Sequence, residues 1–242
     1  KNQDMTVDKT MLLDYDLKVH ANYGERGMYG RMTPEQRNAF KAYYDKVSKD
    51  FDEHQYKGKA LVEWKYQHYM RDYLSTARSL DRNIGKILDY LDKNGLTQNT
   101  VVIYASDQGF YLGEHGWFDK RFMYEESMKT PLVMRYPGVI KQGTSVSDMI
   151  VNIDFAPTIL NIAGVTAPAS IQGNSFLPLL QTGNSKDWRK AAYYHYYAEM
   201  KNLYTEKKNS QLVASLKQQL KDLINQYHDD EAMKIFEQEV KD

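Results

Sequence analysis

Four consecutive residues, Ser106-Asp107-Gln108-Gly109, place a carboxylate beside a carboxamide directly after an apolar, β-branched run. In open α/β sheets, ligands bind at the carboxyl ends of the strands, where this pair would lie. Carboxylate and amide oxygens are hard ligands, which suit Ca²⁺ or Mg²⁺ better than a transition metal. Asp107 and Gln108 are therefore candidate metal ligands, although an aspartate before Gln-Gly is also typical of a turn cap.

A second polar group follows in the same stretch. Gly113-Glu114-His115-Gly116 puts an imidazole between two glycines, and Asp119-Lys120-Arg121 comes next. His115 would bind an anion, exchange a proton or hydrogen-bond its own loop. Lys120 lies 12 residues beyond Gln108, so the loop can return its ammonium group over a metal-bound anion. The alternative for Lys120 is a solvated side chain.

The elements that must position these residues follow from periodicity. A proline after Thr33 predicts a helix start, and apolar residues three or four apart over 59–94 predict a long amphipathic helix that ends at Asn94-Gly95. The continuous apolar runs at 100–105 and 131–136 predict two strands buried on both faces of a parallel sheet. The polar stretch between them predicts a loop, broken by a helical or turn element at 124–127.

Beyond residue 140 the predicted elements are shorter. Residues 147–151 and 191–197 have strand propensity. Asp154 is placed to cap a short helix that has Pro157 in its first turn and ends at Gly164. Apolar residues at helical spacing predict a last helix over 210–227. These patterns predict an α/β domain over 1–180 and a mostly helical segment over 181–242.

Composition limits the classes of function. The 242 residues, 42% of them hydrophobic, can build a core. Lys and Arg number 32 and so do Asp and Glu, so no net field gathers nucleic acid or an anionic membrane. No apolar run reaches the length of about 18 residues that a membrane span needs. The absence of cysteine excludes a disulfide scaffold, a cysteine-ligated metal and a cysteine nucleophile within these residues.

The order of these motifs resembles one family. Residues 106–127, running on to Pro131-Leu132-Val133, resemble the C-terminal half of the active site of type I sulfatases, members of the alkaline phosphatase superfamily. Residues 80–85 and 154–160, with Gly173 and 177–180, resemble the flanking segments. The sequences Asp-Lys-Arg, Tyr-Glu-Glu-Ser and Tyr-His-Tyr-Tyr are most similar to bacterial N-acetylglucosamine-6-sulfatases and related glycosaminoglycan or mucin sulfatases. The resemblance implies part of an alkaline-phosphatase-like sheet flanked by helices, with 181–242 as the remnant of a small C-terminal subdomain.

The same resemblance implies roles for five residues. Asp107 would be a Ca²⁺ ligand, and Gln108 would take the neighbouring ligand position. Lys120 would contact the sulfate oxygens and stabilise charge in the transition state. His115 would lie near the leaving group. Arg121 would support the site or contact a substrate carboxylate, a surface arginine being the alternative.

Two departures from the family matter. Its nucleophile is a formylglycine made in a Cys/Ser-x-Pro/Ala-x-Arg motif, which the chain does not contain; the nearest string, Ser75-Thr76-Ala77-Arg78, has its arginine one place early. After Ala198, a Glu and an Asn-Leu pair follow at once where relatives have several strands. We therefore expect a C-terminal portion of a longer enzyme, with the formylglycine upstream and no activity in this chain alone.

The leading interpretation is a Ca²⁺-dependent sulfatase, periplasmic or secreted, that acts on a sulfated glycan such as 6-sulfated N-acetylglucosamine, without nucleic acid and without a membrane span. An alternative from another class is a non-catalytic remnant that binds glycans through its 20 tyrosines. A phosphodiesterase or phosphonate hydrolase of the same superfamily is the third interpretation. The short Asp107-Gln108 pair argues against it, because those relatives generally use more His and Asp ligands.

Overall fold

A computed structural model describes residues 5–23, 28–183, 186–194 and 210–239. These residues are rich in helix and contain two small sheets. Their α-helices are α1 Pro34–His54, α2 Gly58–Lys93, α3 Glu125–Met128, α4 Phe155–Ile162, α5 Leu177–Thr182, α6 Ser210–Gln226 and α7 Asp230–Glu239. Their strands are β1 Val102–Ala105, β2 Tyr111–Leu112, β3 Phe118–Asp119 and β4 Leu132–Arg135. Among the described residues, no helix is both long enough and apolar enough to cross a bilayer.

The chain forms two compact units. Unit 1 comprises Lys1–Gln98 and Gln108–Pro131, and unit 2 comprises Asn99–Asp107 and Leu132–Asp242. The chain passes between the units three times, and the last two passages flank the polar stretch that carries most of the candidate site. The predicted division into 1–180 and 181–242 stays a prediction.

The predicted start of the first long helix of unit 1 and both predicted bounds of the second are confirmed to within one residue. Thr33 starts α1 with a capping box, in which its hydroxyl accepts from the Gln36 amide and the Gln36 side chain accepts from the Thr33 amide. Pro34 takes the first helical position, where its missing N–H costs nothing. The 36 residues of α2 end at Asn94-Gly95, and Gly95 has a φ of +66°.

The polar segment before α1 contributes the core of unit 1, which its weak periodicity does not indicate. Its buried apolar residues are Met5, Val7, Met11, Leu17 and Val19, of which the last four form one cluster. Two buried side chains of α2 hold the segment by its backbone: the Lys65 ammonium donates to the Met11 carbonyl at 2.8 Å, and Nε2 of His68 contacts the Leu17 carbonyl at 3.1 Å. These contacts satisfy carbonyl groups that would otherwise be buried without a partner.

The predicted strands β1 and β4 form, but the prediction of a parallel sheet buried on both faces is wrong for the described residues. The two strands pair antiparallel, with Ile103 opposite Met134. They make a sheet of two strands only, in which Tyr104 is 41% and Val133 64% exposed. A continuous apolar run indicates a strand that can be covered on both faces, and it does not specify strand direction.

Unit 2 is organised around one buried carboxylate. Asp154 is fully buried and accepts hydrogen bonds from the amides of Val151 and Asn174, each at 2.9 Å. The Arg189 guanidinium binds both of its oxygens. The prediction that this side chain caps α4 is therefore wrong: Asp154 stands at the cap position, but its carboxylate makes no bond to the helix. Pro157 and Gly164 lie where the sequence places them.

The two weaker strand predictions are also corrected. Residues 147–151 form no strand, because their backbone groups bond side chains instead of a ladder: Val151 N–H donates to Asp154, and the Met149 carbonyl accepts from the Trp188 indole at 2.6 Å. Of residues 191–197, those up to 194 are not in a strand, and the rest lie outside the described residues. The last predicted helix is confirmed as α6.

Replacing Asp154 by Asn should lower the free energy of unfolding by about 3 kcal/mol, because Arg189 would keep a largely buried charge without its counterion. Urea unfolding followed by circular dichroism measures this. The matched control is Glu237→Gln, which removes an exposed carboxylate of α7 and should change the value by less than about 0.5 kcal/mol. Equal effects of the two changes would contradict the role given to Asp154.

Burial lowers the pKa of His68, despite the opposing effect of Asp72. The unfolded chain then binds a proton more readily than the folded one, so His68 stabilises the fold fully above its ordinary pKa of about 6.5 and less as the pH falls through the folded pKa. The free energy of unfolding should fall between pH 7.5 and 5 by up to about 1.4 kcal/mol per pH unit from this residue. His68→Gln should flatten that slope, whereas His54→Gln, at an exposed position, should keep it.

Candidate functional site

The residues 108–127 form the site loop, which lies in unit 1 and contains little regular structure. Its two ends meet through Gly109 and Ser127: the Gly109 amide donates to the Ser127 carbonyl at 2.7 Å. A β carbon at position 109 would lie 2.7 Å from the Ser127 carbonyl carbon, and closer still to the Glu126 oxygen. Only glycine permits this approach.

Lys120 and Gln108 are brought into contact by this closure. The Lys120 ammonium donates to Oε1 of Gln108, and the Lys120 carbonyl accepts from the Ser127 hydroxyl at 3.0 Å. Asp119, at the end of β3, has a φ of +71° and turns the chain just before the lysine. The loop therefore returns Lys120 over Gln108, while the catalytic and ligand roles of the two residues stay predictions.

His115 also has a strained backbone, with a φ of +59°. Its Nε2 lies 3.2 Å from Oε1 of Glu126, a residue of α3. The rings around the imidazole are Tyr111, Trp117 and Tyr124, at centroid distances of 6.2, 5.3 and 5.0 Å. The imidazole is thus held by a carboxylate and an aromatic cluster, and it is half exposed to solvent.

Arg121 forms an ion pair within the loop. Its Nε and Nη2 both lie 3.1 Å from Oδ2 of Asp119. The side chain is 54% exposed. The contact bends Arg121 back onto the turn that precedes Lys120, and its predicted role toward substrate stays a prediction.

Asp107 belongs to unit 2, although Gln108, its neighbour in the chain, belongs to unit 1. The Asp107 carbonyl accepts from the Asn152 side chain at 2.8 Å, which fixes the end of β1 to the segment before α4. The Asp107 carboxylate and the Gln108 amide are the oxygen donors that Ca²⁺ prefers. Throughout the described ranges, however, no group of three or more His, Cys, Asp and Glu is placed to hold a metal ion. The metal-ligand roles of Asp107 and Gln108 stay predictions.

Sequence reasoning missed the residues that hold the site together. Glu126 and Ser127 carry the contacts to His115, Gly109 and Lys120, yet they stand in a short run that reads only as a helical turn. The available signal was the pair of glutamates next to a serine in a polar stretch. Nothing in the sequence alone says which partner each takes, because these contacts bridge 7 to 18 positions.

Two protein families match parts of the chain. The family described as N-sulphoglucosamine sulphohydrolase, C-terminal, matches residues 113–199. The family described as type I phosphodiesterase / nucleotide pyrophosphatase matches residues 50–138. The two matches overlap over 113–138, which includes most of the site loop.

The relatives include two N-acetylglucosamine sulfatases. N-acetylglucosamine-6-O-sulfatase of Bacteroides thetaiotaomicron is 47% identical over 207 residues, which are 81% of this chain and 37% of that protein. N-acetylglucosamine-6-sulfatase of Capra hircus is 31% identical over 183 residues, which are 70% of this chain and 33% of that protein. The chain spans about a third of the length of these relatives.

Solved structures share the fold. A protein in complex with its substrate D-glucosamine-2-N,6-O-disulfate aligns with a TM-score of 0.80 and 38% identity, over 95% of this chain and 56% of that chain. A candidate sulfatase of Bacteroides thetaiotaomicron aligns with a TM-score of 0.60 at 21% identity, over 71% of this chain and 46% of that one, which shows the fold alone. The predicted fold class, part of an alkaline-phosphatase-like domain with a helical C-terminal segment, is confirmed.

Replacing Gly109 by Ala should lower the free energy of unfolding by about 1–3 kcal/mol, because the new methyl group forces Ser127 away and opens the site loop. Gly85→Ala is the matched control and should have the opposite sign. Gly85 lies within α2, where an added β carbon meets no atom within 4 Å, so alanine should stabilise the helix by about 0.5–1 kcal/mol. Urea unfolding of both variants checks the signs, and a neutral Gly109→Ala would contradict the role of this contact.

Proposed function

The chain belongs to the type I sulfatases of the alkaline phosphatase superfamily, and from that membership we propose that the whole protein hydrolyses sulfate esters of sugars. We propose a glycosaminoglycan or mucin sugar as substrate, with 6-sulfated N-acetylglucosamine as the first candidate. Two relatives are named for that activity, and the aligned solved structure contains a 6-O-sulfated glucosamine. Because the chain spans about a third of the relatives, the activity is proposed for the whole protein.

The observation that carries the proposal is the contact between Lys120 and Gln108. It holds an exposed ammonium group against an uncharged oxygen, so the positive charge of Lys120 is not neutralised by this partner. A sulfate group that reaches this point meets a cation fixed by the loop. In this proposal, Lys120 binds the sulfate oxygens and stabilises the negative charge that develops on them.

Asp107 and Gln108 are proposed ligands of a Ca²⁺ ion, with the remaining ligands contributed by other parts of the whole protein. When bound, Ca²⁺ would polarise the sulfate oxygens and orient the ester. Lys120 would then donate to sulfate instead of to Gln108, which frees the amide oxygen for the ion. Arg121, held by Asp119, would support the turn that presents Lys120.

His115 is the proposed proton donor to the leaving sugar oxygen. An imidazole can exchange a proton near neutral pH, and an alkoxide leaving group needs one. The proposal places the formylglycine nucleophile in a part of the whole protein that these 242 residues do not include. It also places the protein in the periplasm or outside the cell, as is usual for bacterial glycan sulfatases.

A second candidate activity is phosphate or phosphonate ester hydrolysis. The match of residues 50–138 to the type I phosphodiesterase family favours it. Asp107-Gln108 supplies only one carboxylate, which suits one metal ion better than the two that such enzymes generally use. The assay below therefore includes a phosphodiester.

In the whole protein, Lys120→Ala and Asp107→Ala should each lower kcat/KM for N-acetylglucosamine 6-sulfate by about 10²–10³-fold, because the first removes a cation that binds the sulfate and the second removes a ligand of the Ca²⁺ that would polarise it. Release of inorganic sulfate measures the rate, with EGTA and added Ca²⁺ as a test of the metal. Lys129→Ala is the control, since Lys129 is an exposed lysine that directly follows α3. Wild-type values for both site variants would contradict their roles, and hydrolysis of bis(4-nitrophenyl) phosphate without any sulfatase activity would favour the second candidate.

A further inference from the structure

The contact between Glu126 and His115 has no role in the function proposed so far. Glu126 is 29% and His115 41% exposed in their side chains, so the pair lies at the surface of the site loop but is partly shielded. Its partner atoms, Oε1 and Nε2, are 3.2 Å apart. An ionised carboxylate can only accept hydrogen bonds, so Nε2 is assigned as a nitrogen that carries a proton. Nδ1 is then the ring nitrogen that this contact leaves available.

Three aromatic rings pack around the imidazole of the pair. Tyr111 is fully buried, and its hydroxyl donates to the Phe122 carbonyl at 3.0 Å, so the position of this ring is fixed. Trp117 contacts the imidazole and also packs on Phe122 at a centroid distance of 4.7 Å. The exposed Tyr124 lies at a ring-centroid distance of 5.0 Å from the imidazole. Across the described part of the chain, Nδ1 of His115 has no hydrogen-bond partner.

The backbone supports the same orientation. His115 has a φ of +59°, a left-handed conformation that costs a residue other than glycine about 1–3 kcal/mol. The turn is held by hydrogen bonds on both sides, from Gly113 N–H to the Trp117 carbonyl and from Trp117 N–H to the Glu114 carbonyl, both at 3.0 Å. Glu126 is fixed in turn, because its neighbour Ser127 is buried and bonded to Gly109 and Lys120.

From these contacts we propose that Glu126 is a positioning residue: it holds Nε2 of His115 and so directs Nδ1 to the leaving oxygen of the substrate. The proposal rests on the role given to His115 above. As the S–O bond to the sugar breaks, its electrons pass to the sugar oxygen, which takes the Nδ1 proton of the imidazolium. The sulfuryl group passes to the attacking oxygen. Nε2 keeps its own proton and its hydrogen bond to Glu126, which holds the ring in the same orientation throughout the transfer.

The test compares two leaving groups in the whole protein. N-acetylglucosamine 6-sulfate releases an alcohol, which needs a proton, whereas 4-nitrophenyl sulfate releases a stable phenolate, which does not. Glu126→Gln should lower kcat for the sugar sulfate by about 10–100-fold, with little change in KM, and change the aryl sulfate less than about threefold. The ratio of the two rates in one preparation is independent of how much of the variant is folded.

Three further variants complete the experiment. Glu125→Gln is the control, because Glu125 is exposed and 3.9 Å from Lys129; it should leave both rates unchanged. Glu126→Asp, which keeps the charge, should recover part of the loss. In a His115→Ala background, Glu126→Gln should change the sugar sulfate rate by less than about twofold, because its effect passes through His115.

Each other outcome identifies what fails. Equal losses on both substrates, or an undiminished loss in the His115→Ala background, would show that Glu126 acts only structurally and would overturn the proposal. If His115→Ala greatly lowers the rate on the sugar sulfate and Glu126→Gln does not, the role of Glu126 is wrong and the role of His115 stands. If His115→Ala itself has no effect on the sugar sulfate, the role of His115 in the proposed function is wrong, and the role of Glu126 fails with it.

Discussion

The close approach of Gly109 to Ser127 is the contact on which the candidate site depends. It joins the two ends of the site loop by one main-chain hydrogen bond of 2.7 Å, at a distance that excludes any side chain at position 109. Ser127 then fixes Lys120 through its hydroxyl, and the adjacent Glu126 fixes His115. One helical turn, α3, thus sets the positions of Lys120 and His115.

Rigidity in this loop comes from specific contacts and not from regular structure. β2 and β3 have two residues each and α3 has four, too few for cooperative stability of their own. Left-handed backbone at His115 and Asp119 persists because the surrounding bonds and rings determine it. The loop conformation therefore depends on each of these contacts. Removal of one hydrogen bond would let the backbone leave a conformation that the chain does not adopt without them.

The sequence predicts what depends on local pattern and little of what depends on distant partners. The start of α1 follows from the proline after Thr33 and the end of α2 from an Asn-Gly pair, and both signals act within one turn. Asp107, Gln108, His115 and Lys120 can be selected by residue type, but the contact of Gln108 with Lys120 requires the loop closure that Gly109 permits. The buried core at Val7 to Val19 and the antiparallel pairing of β1 with β4 depend on long-range packing, which periodicity does not report.

The charged side chains of the described residues differ in burial and in partner, and this difference bears on function. Asp154 with Arg189 is a paired buried charge, and the buried Lys65 ammonium is bonded to main-chain carbonyls, so these groups serve the fold. Exposed pairs such as Lys41 with Asp45 contribute little either way. Lys120 differs from these groups. It takes part in none of the ion pairs of the described residues, and its ammonium group donates to a neutral amide, that of Gln108. A cation that the loop holds in place without a counterion stabilises the protein little, but it is prepared to bind an anion without first giving up a carboxylate.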